Sequence, residues 1–353
     1  MIPLRSGDVT GMSGLDLAKD YGSTFPSGGV ELPWPGTQAT SRSKYESLID
    51  REIRAFIDRT NEFYPPETIG LPVEKQRAIY NVMCRAFHHG YPVGVRARDS
   101  VIDVCGRPLM IRHYRTDVEK PTAVILYYHG GGFVLGDLDS HDDVCAELCA
   151  GTGYDVVSVD YRLSPEHRHP AAFEDACAAF DWTATALGLP IVLCGESAGG
   201  NLAAAVAHAR RDAGAAAGQV LVYPSLGGDM SARSYVEHAD APMLTVRELL
   251  FYRDVRTGQP PIMRDPTLAP LDDTDFSALP PTVIITAQCD PLSSDGETYR
   301  DRILGAGGRA WWREEPGLVH SFVRARHSAQ RARDAFGRIV AAITALGKGA
   351  WPY

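Results

Sequence analysis

No stretch of the 353 residues comes near the ~20 consecutive apolar residues that a membrane-spanning helix requires. The opening residues, MIPLRSGDVTGMSG, likewise lack the apolar segment of a secretory signal, so a cytoplasmic protein is expected. Cysteine is sparse, with seven residues at 84, 105, 145, 149, 177, 194 and 289. An odd count at scattered spacing argues against a disulfide framework and suits a reducing compartment. Cys145 and Cys149 lie four apart with no second pair to complete a zinc site, so they read as buried small residues and no metal is expected. An excess of basic residues is also missing. The formal charge of −9 is spread along the chain, so neither a nucleic-acid nor an anionic-membrane partner is expected. Internal repeats are absent, and the only biased tract is alanine-rich, at 202–217.

What is present is enough apolar material for a sizeable core: 44% of residues are hydrophobic and 22% charged, which rules out wholesale disorder. Residues 1–43 are rich in Gly, Pro and Ser and show no period, so they read as an extended arm. In KYESLIDREIRAFIDR, Tyr45, Leu48, Ile49, Ile53, Phe56 and Ile57 form one helical stripe. Ile79, Val82, Met83, Ala86 and Phe87 form a second, and both precede any strong strand. DSVIDVCGRPLMIRHYR then predicts a hairpin turning at Gly106.

From there apolar strands alternate with helical patterns. The strands are TAVILYYH (122–129), YDVVSVDY (154–161), IVLCG (191–195), QVLVYP (219–224), TVIITAQ (282–288) and RAWWRE (309–314). Helices are expected near 141–151, 171–187, 198–213, 296–306 and 327–346. This alternation predicts an α/β fold whose mostly parallel central sheet carries helices on both faces, with sites at the strands' C-terminal ends. The segment from Pro224 to Thr282 breaks the alternation, and Thr245 with Glu248 predicts a capped helix inside it. A long insertion of that kind reads as a lid. RAWWRE, as the last strand, presents an apolar edge through which a homodimer is expected.

Gly195-Glu196-Ser197-Ala198-Gly199 fits G-x-S-x-G between a strand and a helix. The turn is sharp, so small neighbours are needed, and Ser197 is the candidate nucleophile. His320, in PGLVHSF after the last strand, is the candidate base, with His327 its main competitor. Asp290, directly beyond TVIITAQC, is the carboxylate to hold that imidazole. Asp295 and Glu297 sit where helix capping alone explains an acid. His129-Gly130-Gly131-Gly132 offers backbone N–H groups to a developing oxyanion, as does Ala198. His167 and His169 form an H-x-H with no third ligand and read as a solvated loop.

These stretches together resemble the hormone-sensitive-lipase-like (family IV) branch of α/β-hydrolases. The resemblance rests on YYHGGGFVLGDLDSHD (127–142), VDYRLSPEHRHPAAFEDA (159–176), GESAGGN (195–201), YVEHADAPMLT (235–245), LPPTVIITAQCDPLSSDG (279–296) and GLVHSF (317–322). It implies a triad of Ser197, Asp290 and His320 and an oxyanion hole of Gly131, Gly132 and Ala198, shaped by His129 and Gly130. It also implies a helical cap from 44–90 and 225–265 over a catalytic core of 91–224 and 266–353, and support beside the site from Asp160, Arg162 and Glu166. The function implied is cofactor-free hydrolysis of short- to medium-chain acyl esters. The alternatives are an amidase or deacetylase of the same fold, or a non-catalytic relative that binds a small molecule; the presence of His320 weighs against the last. Tyr235, Phe251 and Tyr252 of the cap, and Tyr21, Phe25 and Trp34 of the arm, are candidates for pocket lining or cap core. The chain departs from the branch at Glu196, where Asp is usual, and at Ser321, where Gly is usual.

Overall fold

Alternate residues of the apolar strands point to opposite helical layers, as the period of two requires. The structure is a computed structural model and describes residues 44–353 apart from 105, 118–119 and 259–263. The expected arm at 1–43, with Tyr21, Phe25 and Trp34, lies outside the described residues. The strands are β1 (Arg96–Val104), β2 (Arg107–Arg115), β3 (Val124–Tyr128), β4 (Asp155–Val159), β5 (Ile191–Glu196), β6 (Ala216–Val222), β7 (Thr282–Cys289) and β8 (Ala310–Val319). They form one sheet in the order β1-β2-β4-β3-β5-β6-β7-β8. The β1–β2 hairpin joins β4 antiparallel, and every later pairing is parallel.

The helices are α1 (Arg51–Phe63), α2 (Val73–Phe87), α3 (Asp142–Thr152), α4 (Ala171–Leu187), α5 (Ala198–Ala209), α6 (Arg233–Glu237), α7 (Val246–Thr257), α8 (Ser293–Gly305) and α9 (Gln330–Gly347). On one face Ile125, Tyr127, Val192, Val220 and Ile285 pack with Leu148 of α3 and Ile339 and Ile343 of α9. On the other, Val124, Leu126, Leu193, Leu221 and Ile284 pack with Phe180 of α4, Leu202 and Val206 of α5, and Ile303 of α8. The C-terminal ends of β3, β5, β7 and β8 therefore open on the same side of the sheet. There the chain places His129, Ser197, Asp290 and His320.

Two expectations change in detail. The stripe from Tyr45 to Ile57 is broken: a helical turn at 44–48 stops, and Asp50 starts α1 afresh by accepting the Ile53 amide at 2.9 Å. An N-cap carboxylate satisfies an otherwise orphaned amide, and that favours a new helix start over continuation. Tyr45, Ile49, Ile53 and Phe56 still face the same core, with Phe56 edge-on to Phe87 of α2. The strand expected at 309–314 runs on to Val319. Pro316 and Gly317 read as loop residues, yet on an edge strand the missing proline N–H costs no ladder bond. His320 thus follows the strand directly.

Arg77 of α2 binds Val134 O, Ser164 O and both oxygens of Glu166, fastening this helix beside the glycine loop. Arg162 grips Asp175 and Glu174 at the start of α4. The segment between β6 and β7 holds α6 and α7. Asp295 lies at the start of α8 but does not merely cap it. It is buried and accepts from the amides of Leu226 and Gly228 and from Tyr235 of α6, so it anchors the insertion. Burial pushes its carboxyl up to about 6.

Candidate active site

The turn from β5 into α5 requires the chain to reverse within one residue. Ser197 takes φ 53° and ψ −117°, outside the regions that L-residues favour, a conformation worth about 1–3 kcal/mol of strain. Two features hold it there. The Ser197 amide donates to Val222 O at 2.9 Å, and Gly199 packs where any Cβ would collide with the carbonyl oxygens of Tyr128 and His129. The small residues that the sequence places around the serine are those the crossing of α5 over β3 demands.

Ser197 Oγ lies 3.0 Å from His320 Nε2, and His320 Nδ1 lies 2.7 Å from Asp290 Oδ2. Asp290 is fully buried, and its second oxygen accepts the Leu292 amide at 2.9 Å, which fixes the carboxylate's rotamer. His320 is presented by a tight turn in which Ser321 adopts φ 63° and ψ 19°. Glycine enters that left-handed region at no steric cost, whereas serine pays a modest penalty there. His327, the competing histidine, stands apart and binds Glu147 at 2.7 Å. His169 binds Asp265 and Thr267, each at 3.1 Å.

Behind β3 the chain turns through Gly131 and Gly132 at φ 117° and 63°. The Gly131 carbonyl accepts from Val134 and Leu135, closing the loop on itself. Among the described residues no acceptor takes the N–H groups of Gly131, Gly132 or Ala198. The Tyr252 ring of α7 lies over Gly132, so close that a Cβ there would overlap it. His129 is buried beneath, its Nδ1 2.7 Å from Gly130 O and its ring stacked on Tyr161 at 4.3 Å.

Sequence reasoning did not find the polar support behind the serine. Glu196 is buried and is bonded by His141 and by the Tyr223 hydroxyl. Arg324, also buried, donates to Ser140 O at 3.0 Å and to the Tyr80 hydroxyl at 2.9 Å, and lies 3.0 Å from His141. Burial alone would raise the Glu196 carboxyl. His141, Arg324 and Tyr223 outweigh it and hold the group well below the usual carboxylate range. The Tyr223 ring, positioned by Glu196, packs against His320 with centroids 4.7 Å apart. The signal in the sequence was an acid next to the nucleophile. A buried carboxylate demands donors, but nothing in the order of residues says which ones.

The cavity above these groups measures about 460 Å³. Its wall includes Tyr64, Gly132, Leu244, Tyr252 and Leu292, and Tyr235 also reaches it. Phe251 packs edge-on against Tyr252.

With this geometry in view, the comparisons with known proteins agree. The family model described as alpha/beta hydrolase fold matches residues 125–324. Esterase LipI of Mycobacterium tuberculosis is 37% identical over 268 residues, 72% of this chain and 83% of that protein. Carboxylesterase NlhH of the same species is 40% identical over 233 residues, 62% of this chain and 72% of its own length. A solved hyperthermophilic esterase from Pyrobaculum calidifontis superposes with a TM-score of 0.78 at 33% identity, covering 84% of this chain and 98% of that one. The fold and these likenesses define an α/β-hydrolase. The chain belongs to that family, in its hormone-sensitive-lipase-like branch, and is a carboxylic ester hydrolase. Among the described residues no helix is long and apolar enough to cross a membrane.

Proposed function

We propose that the chain hydrolyses short- to medium-chain acyl esters through an acyl-enzyme, with Ser197 as nucleophile, His320 as base and Asp290 as its orienting carboxylate. The observation that carries this reading is the unbroken hydrogen-bond series from the Ser197 hydroxyl through His320 to Asp290, at the floor of the cavity.

His320 Nε2 takes the hydroxyl proton as Ser197 Oγ bonds to the ester carbonyl carbon. Asp290 stabilises the imidazolium by accepting from Nδ1. The carbonyl oxygen becomes an oxyanion and accepts from the N–H groups of Gly131, Gly132 and Ala198, whose donors face no protein acceptor among the described residues. His320 then returns its proton to the departing alkoxide as the C–O bond breaks. Water enters, loses a proton to His320 and attacks the acyl-enzyme, and Ser197 leaves with that proton restored. The step balances without a cofactor.

Residues 44–90 and 225–265 act as a cap over the core of 91–224 and 266–353. A cavity of about 460 Å³ beneath this cap favours acyl chains of a few carbons over long ones. Ser197→Ala should abolish labelling by a fluorophosphonate and leave only about 10³–10⁴-fold acceleration over the uncatalysed reaction. A p-nitrophenyl ester series on the wild type should peak below dodecanoyl. Near-wild-type turnover by Ser197→Ala sinks the assignment, and rates still rising past dodecanoyl sink the preference for short to medium chains.

A further inference from the structure

The cavity wall contains a buried cation that has no carboxylate partner among the described residues. Arg256, in the last turn of α7, is 5% exposed and lines the same cavity as Ser197. Its guanidinium carbon lies over Phe133, 3.4 Å from the ring centroid. Phe133 directly follows Gly132, so this contact lies next to the glycine loop. Nη1 donates to Leu268 O at 3.1 Å and Nη2 to Asn201 Oδ1 at 3.4 Å. Asn201 sits one helical turn past Ser197, its amide donating to Ser197 O at 3.0 Å. A guanidinium has five N–H groups. Here two meet neutral acceptors, and Nε, fully buried, has no partner among the described residues.

Nearby carboxylates do not complete the set. Among the described residues no carboxylate forms an ion pair with Arg256. Asp265 is the acid whose charge it feels, but that carboxylate is taken by the Thr267 amide and hydroxyl and by His169. Glu248, also on the cavity wall, is closed into the capping box with Thr245. The other arginines of the wall are occupied: Arg253 by Asp254, Arg324 by Ser140, Tyr80 and His141. Burying a guanidinium without a carboxylate is expensive, and one ring face and the end of a helix offset only part of that. Burial brings Arg256 down to about 9, against a counteracting pull from Tyr161 and Asp265, so it stays charged at neutral pH.

We propose that Arg256 is an anion subsite and that the substrate carries an ionised carboxylate a few carbons from its scissile ester, for example a monoester of a dicarboxylic acid. This rests on the serine-esterase reading above. The carboxylate takes terminal N–H groups of the guanidinium left over by Leu268 and Asn201 and supplies the counter-charge that the cavity wall lacks. Charge-assisted, two-point contacts of this kind are among the strongest available to a small ligand. The neutral part of the substrate packs on the apolar wall between the two polar ends.

The test compares pairs of esters that differ by the presence of one ionised carboxylate. On the acyl limb, mono-p-nitrophenyl succinate, glutarate and adipate are paired with p-nitrophenyl butyrate, pentanoate and hexanoate. On the alcohol limb, 3-acetoxybenzoate is paired with phenyl acetate. The wild type should prefer the charged member of at least one pair by tenfold or more in kcat/KM, and the limb and spacer that win locate the carboxylate. In Arg256→Gln that ratio should fall at least tenfold, whatever the neutral ester does, and in Arg256→Lys it should fall less. No preference in the wild type, or a ratio that survives Arg256→Gln, overturns the subsite and leaves esterase activity standing. A parallel Ser197→Ala control reports on the esterase reading separately. Should the variants fail to fold, inhibition of wild-type butyrate turnover decides: glutarate should bind at least tenfold tighter than glutaramide, and equal inhibition refutes the proposal.

Discussion

Near Ser197 two buried side chains have opposite habits. Glu196 is held ionised by its donors, while His129 is held neutral by burial. The His129 imidazole is lowered to about 4, first by burial and then by the neighbouring His141. Its Nε2 has no partner among the described residues, so a proton added there would be buried unsolvated. The unfolded chain takes up that proton near 6.5 and the folded chain only near 4. His129 therefore contributes stability that is full above pH 6.5 and is lost as pH falls toward 4, a total of about 3 kcal/mol. Urea unfolding measured between those limits should show a shallower pH slope in His129→Asn than in the wild type. An identical slope would mean that the imidazole accepts its proton in the folded state. Positions such as Ser197, Asp290 and His320 were legible because chain order and strand ends restrict where a hydroxyl, a carboxylate and an imidazole can meet. Glu196's partners were not, because His141 and Tyr223 reach it, with Arg324 held against His141, from segments whose own sequence gives no reason to converge.

At the level of elements, α7 is the one through which the insertion acts. Its capping box was readable in TVRE and is present, with Thr245 Oγ1 accepting the Glu248 amide at 3.2 Å and Glu248 accepting the Thr245 amide at 2.7 Å. The helix carries Tyr252 over Gly132 and Arg256 over Phe133, so what holds the helix also holds the roof of the cavity. Thr245→Ala removes one satisfied amide, about 1 kcal/mol. Because α7 packs as a half-buried surface element, that loss should appear as local opening. Amides of residues 246–257 should exchange about fivefold faster, while those of β3 and β5 keep their protection. Unchanged exchange in α7 would show that packing, not the cap, sets its stability. Strands and helices were legible here because their periods are dictated by burial on two faces. The break at Asp50 and the extension of β8 were not. Each depends on a local contest, a cap against continuation and a proline at an edge, that periodicity does not weigh.

For the molecule as a whole, β8 closes one side of the sheet and is the strand through which we propose a homodimer. Its two indoles are already engaged. Trp311 stacks on Tyr353 at 3.7 Å, and Trp312 donates to Thr286 Oγ1 at 2.9 Å beneath Arg300. Beyond them come Arg313, Glu314 and Glu315, and Glu315 is bonded twice by Arg338. Pairing with a second copy therefore draws on main-chain groups over about the first half of the strand, before Pro316 removes a donor. Such a contact buries little apolar area, so it should be weak. Light scattering should give the 38.4 kDa of one chain at low micromolar concentration and rise toward a dimer as concentration increases. A mass that never rises removes the dimer. A dimeric mass already complete at low concentration demands a larger apolar interface than this edge provides, and would put the contact elsewhere on the molecule.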